Sequence, residues 1–139
     1  CKLAIVETKY TAATAVAELE RRLADLADSG QLPHALSLHI NGCPNSCARI
    51  QTADIGLTGQ LLPTEDGGQK PGYQVHLGGG LAADDRAEAG LGRTVRGLKV
   101  FQDDLADYVE GLVRRFLAQR TDDESFAEWT HRVEESELA

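Results

Sequence analysis

The feature that most constrains this chain is the pair Cys43 and Cys47, set four residues apart directly after an alternating run. Leu36, Leu38 and Ile40 alternate with Ser37 and His39, the pattern of a half-buried strand. The strand runs straight into Asn41-Gly42-Cys43-Pro44-Asn45-Ser46-Cys47, so a rigid element holds the two thiols. Pro44 fixes its own φ and suits the first turn of a helix. A helix starting there would aim free N–H groups at the thiols and favour thiolate. Spacing alone leaves three readings open: half a zinc site, half an iron–sulfur site, or chance. The third cysteine, Cys1, makes the count odd, which argues against a closed disulfide framework. It also leaves a four-thiolate site one ligand short.

The rest of the chain supplies a scaffold. Apolar residues recur at helical spacing from Ala12 to Ser29, with Glu18 and Arg22 four apart on the outer face and Gly30 as a stop. Ala53, Ile55 and Leu57 alternate as a second strand, and Tyr73, Val75 and Leu77 as a third. Between them, residues 60–72 hold Pro63, Gly67, Gly68, Pro71 and Gly72, so residues 52–78 read as a hairpin with a long, mobile loop. Residues 82–90 suggest a short helix and Val95–Val100 a further strand. Asp103–Gln119 is a clearly amphipathic helix. Thr121 and Glu124 fit a capping box that opens a last helix, with Phe126, Trp129 and Val133 on its apolar face. Helices flanking short strands predict an α+β fold, a small sheet flanked by helices with C-terminal helices after it.

Composition narrows the function. A formal net charge of −8 makes the chain a poor nucleic-acid binder, and no apolar run approaches a membrane span. The acids after Thr121 read as a solvated helical face and a frayed tail. A chain that opens on Cys1 without a leader pattern and contains no Met reads as a fragment of a longer, cytoplasmic polypeptide.

The segment from His39 to Arg49, with its continuation to Gly59, closely resembles the second cysteine motif of the assimilatory nitrite and sulfite reductases. Cys1 to Lys9 looks like the end of that family's first motif, with Cys1 as its second cysteine. Tyr73 to Gly80 is similar to the family's strand-to-glycine turn beside the macrocycle. Ser125 to Leu138 resembles the C-terminus of the actinobacterial-type members. The resemblance covers nearly the whole chain.

It implies a nitrite/sulfite reductase 4Fe-4S domain-like fold. Residues 1–120 would form the C-terminal part of the sirohaem- and [4Fe–4S]-binding domain, and 121–139 a C-terminal helix and acidic tail. Cys1, Cys43 and Cys47 would be three of the four cluster ligands, the fourth lying upstream, and Cys47 would bridge the cluster to the sirohaem iron. Asn45 would donate to a sirohaem carboxylate or to the cluster sulfurs. Arg49 would meet a sirohaem carboxylate or a surface partner rather than substrate, and the amides of Gly78 and Gly79 would approach the macrocycle closely. The implied reaction is six-electron reduction of sulfite to sulfide or nitrite to ammonia, with ferredoxin or a similar protein as electron donor. Substrate-binding cations are expected in earlier domains, so no catalytic residue is assigned here. The competing reading is a stand-alone metal-binding or electron-transfer module without turnover.

On its own the chain is expected to fold without cluster or sirohaem, with Cys43 and Cys47 exposed and open to oxidation. His39 and His76 are weaker candidates for cofactor contact, and His34 and His131 read as plain surface residues. Arg93, Arg96 and Lys99 suggest a basic stripe that could dock an acidic donor. Phe126 and Trp129 read as core anchors.

Overall fold

A four-stranded sheet organises the molecule. The computed structural model describes residues 3–82 and 89–139. In chain order it contains α1 (Lys9–Arg22), α2 (Ala24–Asp28), β1 (Leu38–Asn41), β2 (Ile55–Pro63), β3 (Gln69–Leu77), β4 (Arg93–Phe101), α3 (Leu105–Gln119) and α4 (Phe126–Arg132). The sheet order is β1-β2-β3-β4. β1 runs parallel to β2, with Ile40 opposite Leu57; the other neighbours are antiparallel. This is the α+β arrangement that the pattern of strands and helices predicts.

Alternation decides which face is buried. Ile55, Leu57, Tyr73, Val75, Leu77 and Val95 are at most 1% exposed and join α1 and α3 in one core. On the opposite face His76 bridges two hydroxyls, Thr58 Oγ1 at 3.1 Å and Thr94 Oγ1 at 2.9 Å. Burial pushes the His76 ring below its ordinary pKa. α3 buries Leu105, Val109, Leu112, Val113 and Phe116 at helical spacing. Each such side chain contributes about 1.5–3 kcal/mol on burial. Phe126 and Trp129 are the anchors expected of them: both are fully buried, with ring centroids 5.3 and 5.6 Å from Phe116.

Several elements differ from the sequence expectation. The first helix starts at Lys9, because the Glu7 carboxylate accepts from the amides of Lys9 (2.5 Å) and Tyr10 (3.1 Å). It breaks at Leu23, which separates α1 from α2. Arg22 is not on an outer face: it bonds Glu18 at 2.7 Å and also reaches Asp107 and Glu110 on α3. The hairpin is present, but its loop is short. β2 runs to Pro63 and β3 starts at Gln69, joined by a turn in which Thr64 N donates to Gly68 O at 3.0 Å. Pro71 is tolerated because β4 pairs with β3 only from Gly72 onward.

The last helix opens one turn later than expected. Ser125, not Thr121, is the N-cap, and its side chain and that of Glu128 form the reciprocal capping box. Glu124 bonds the Thr121 amide but also binds Arg132. The tail does not fray: Leu138 is fully buried, and its carbonyl accepts from Tyr108 Oη at 2.9 Å. The helix expected within 82–90 lies largely outside the described residues.

Candidate functional site

The connection from β1 to β2 carries both described cysteines. No helix begins at Pro44; residues 43–48 form successive turns. The physical reason is backbone conformation. Ser46 (φ 54°) and Arg49 (φ 52°) are left-handed, which a helix cannot contain. Arg49 N donates to Ser46 O at 2.8 Å, Ser46 Oγ to Gln51 Oε1 at 2.6 Å, and a short 3-10 turn, Ile50–Thr52, leads into β2. Free N–H groups of a helix start therefore do not serve the thiols.

The two thiols are unequal. Cys47 is exposed, as is Asn45, whereas Cys43 is 7% exposed. The expectation that both would be exposed fails at Cys43, which sits at the base of the loop. There the Gly42 carbonyl accepts from Ile5 N (2.8 Å) and Val6 N (3.1 Å), so the segment that follows Cys1 is tied beside Cys43. A Cβ on Gly42 would lie 2.5 Å from Val6 O, so this approach requires glycine. Cys1 itself lies outside the described residues. Among those described, no group of three or more His, Cys, Asp or Glu side chains could hold a metal ion.

Arg49 is exposed and borders an open cleft of about 320 Å³, together with His34, His39, Thr52, Asp54 and Ser125. His39 Nδ1 lies 3.2 Å from Arg49 O, so the expected orientation of His39 away from the core places it against the thiol loop. His34 is not a plain surface residue: it is half-buried, 3.8 Å from Asp54 Oδ1. Asp54 is buried and accepts from Ser37 N at 2.9 Å and Ser37 Oγ at 2.7 Å, which fixes the start of β2 against β1. His131 is exposed as expected.

Gly78 and Gly79 are buried, but their amides are committed internally. Gly78 N donates to Asp54 O at 2.9 Å and Gly79 N to Ala53 O at 3.0 Å. They are not donors aimed outward. A Cβ on Gly79 would meet Gln51 O at 2.2 Å, and one on Gly78 would meet Thr130 Oγ1 at 2.3 Å. These glycines lock the loop's exit against β3 and α4. The basic stripe is also divided. Arg93 Nη2 donates to Val133 O at 3.2 Å and its Nε is buried, leaving Arg96 and Lys99 exposed.

Sequence reasoning missed the residues that shape the loop. Asn41 is buried, its Nδ2 donates to Cys43 O at 2.6 Å, and its Oδ1 accepts from Ala48 N at 3.2 Å. Gln51 and Asp54 were missed too. The available signal was a polar side chain at the inner end of a strand, where a solvent-facing turn residue is the ordinary reading.

The family model for the nitrite and sulphite reductase 4Fe-4S domain matches residues 4–138. Ferredoxin-type sulfite reductases from Mycobacterium tuberculosis (strain H37Rv) and Mycolicibacterium paratuberculosis are each 49% identical over 138 residues, 99% of this chain and 24% of those proteins. A chloroplastic ferredoxin–nitrite reductase of Arabidopsis thaliana is 37% identical over 84 residues, 60% of this chain and 13% of that protein. The solved structure of the Mycobacterium tuberculosis NirA protein superposes with a TM-score of 0.90 at 49% identity, covering 100% of this chain and 24% of that one. The chain thus spans about a quarter of the length of these sulfite reductases. With the match running through the thiol loop, the whole sheet and the docked C-terminus, this chain belongs to the nitrite and sulphite reductase 4Fe-4S domain family.

Proposed function

We propose that this chain is the C-terminal cluster- and sirohaem-binding quarter of a ferredoxin-dependent reductase that reduces sulfite to sulfide. The observation that carries the reading is the loop itself: two thiols four residues apart, with the segment after Cys1 tied to Gly42 O beside Cys43. The donor chemistry fits an iron–sulfur cluster, since soft thiolates are the ligands such clusters take. Cys1, Cys43 and Cys47 would hold it with one thiol from upstream, and Cys47, at the exposed tip, would bridge to the sirohaem iron. When bound, the joined cofactors supply a short route for six electrons.

The remaining roles fall to side chains around that tip. Asn45 would donate to a sirohaem carboxylate or a cluster sulfur, and Arg49 would pair a carboxylate from the cleft it shares with His39. Gly78 and Gly79 would act by close packing rather than by donating their amides. Residues 1–120 would carry the cofactor face, and 121–139 would brace it through α4. The rest of the polypeptide would cover the apolar groove of about 360 Å³ beside the edge strand β1, lined by Val16, Leu23, Leu32 and Leu36. Sulfite is favoured over nitrite because the relatives named sulfite reductase match 99% of the chain, against 60% for the nitrite reductase.

The test is an absorption spectrum with iron and acid-labile sulfide analysis of the complete polypeptide, followed by turnover with reduced ferredoxin. A sirohaem Soret band, about five irons per chain and faster turnover of sulfite than of nitrite support the reading. Faster nitrite turnover would transfer it to the other substrate. A colourless protein that binds zinc would replace it with a metal-binding module.

A further inference from the structure

We propose that Asn41 is the positioning residue of the thiol loop: its buried carboxamide joins the two limbs and presents Cys43 and Cys47 in fixed relation. The inference rests on reading this loop as the cluster site, and it adds a residue whose carboxamide is committed to the loop backbone.

Asn41 is the last residue of β1, held by the parallel pairing opposite Thr58. The residue is 7% exposed, and its side chain bonds both limbs of the loop. Nδ2 donates to Cys43 O at 2.6 Å; Oδ1 accepts from Ala48 N at 3.2 Å. Those partners flank the motif, one at its first thiol and one just past its second. Only one orientation of the amide satisfies both, because a carbonyl must be given a donor and an N–H an acceptor.

Energetics explain why such a clamp is needed. Ser46 and Arg49 are left-handed without being glycine. Such residues are strained and persist only where their surroundings over-determine them. The two clamp bonds help offset that strain by holding both limbs of the loop. Ser46 Oγ to Gln51 Oε1, at 2.6 Å, anchors the far limb to the 3-10 turn. Loss of the Asn41 donor would leave a buried carbonyl at the cysteine that is itself buried. A plain structural asparagine would bridge any two backbone groups; this one bridges the two ends of the thiol pair.

The consequence is a thiol pair already set before metal arrives. Outer residues that orient metal ligands alter metal retention by about 10–100-fold when removed. The test uses the complete polypeptide with Asn41→Asp and Asn41→Ala. Aspartate keeps the shape and the acceptor for Ala48 N but sets a carboxylate oxygen against Cys43 O. Two readouts are taken: the rate of iron loss to a chelator with the electron paramagnetic resonance signal of the reduced cluster, and amide exchange of the peptide containing Ala48 in metal-free protein.

The expected result is iron loss about 10–100-fold faster in both variants, with an altered cluster signal. Ala48 exchange should rise in Asn41→Ala and stay near wild type in Asn41→Asp. Should Asn41→Ala fail to fold, Asn41→Asp alone decides by iron loss and signal. Wild-type iron retention and signal in a folded variant would overturn the proposal. A wild-type polypeptide without iron or a Soret band would instead sink the functional reading, while the Ala48 exchange result would still report on the clamp.

Discussion

Arg132 grips Glu124 with two hydrogen bonds, Nε to Oε1 at 2.6 Å and Nη2 to Oε2 at 2.8 Å. The same guanidinium reaches back to Gln119 O at 3.1 Å, so the pair joins the end of α3 to the end of α4. Glu124 is buried, and the Arg132 guanidinium holds its carboxyl at about 2, well below its ordinary 4.5.

A pH dependence follows from that depression. The unfolded carboxyl takes a proton more readily than the folded one, so the pair's stabilisation is complete above about pH 4.5 and is lost as pH falls toward 2. Glu124→Gln should cost about 2 kcal/mol near neutrality. Urea denaturation of both proteins along a pH series should show the difference shrinking through that window. A difference that stays constant down to the acid end would contradict the assignment.

The capping box makes a paired prediction. Ser125→Ala removes the side chain that accepts from Glu128 N and should cost about 1 kcal/mol. Thr121→Ala, at an exposed residue one turn earlier, should stay within about 0.5 kcal/mol. Chemical denaturation of the two variants decides which threonine or serine opens the helix.

Trp129 is fully buried, with its ring centroid 5.6 Å from that of Phe116 and 5.7 Å from that of Phe126. Trp129→Ala should cost about 3–5 kcal/mol, because the cavity adds to the lost transfer energy. Thermal unfolding followed by circular dichroism would show a large drop in midpoint. A shift of only a degree or two would mean that α4 contributes little to the core.

The unequal thiols are separable by reagent. Cys47 is exposed and Cys43 is 7% exposed. A maleimide titration of the metal-free chain, read by mass spectrometry, should modify Cys47 first, with Cys43 following only through local opening. Equal rates would show that the base of the loop is open in solution.

How far the sequence could be read follows from which signals are local. β2, β3 and α3 announce themselves because burial on one face imposes a period, as in Ile55 and Leu57 or in Leu105, Val109 and Leu112. The tight turn at Thr64–Gly68 was hidden because Pro63 and Pro71 read as loop while each sits within a strand. The parallel pairing of β1 with β2 has no local signature at all, since only tertiary contact sets it. The cysteines were visible by residue type. The clamp was not: Asn41 before Gly42 reads as a turn, and the left-handed Ser46 and Arg49 carry no glycine to betray them. Glu7 capped a helix from outside the periodic stretch, so the period alone missed its start.

Neighbouring parallel strands need a connection of about a dozen or more residues, and a helix usually fills it. Here residues 42–54 make the passage with only a 3-10 turn, and the thiols ride on it. The segment therefore carries a structural duty that is independent of its two thiols. Both cysteines could be exchanged by substitution, yet the passage could not be deleted without unpairing β1 from β2. The loop is thus architecture as well as a carrier of thiols, and its length is owed to the sheet whatever the thiols hold.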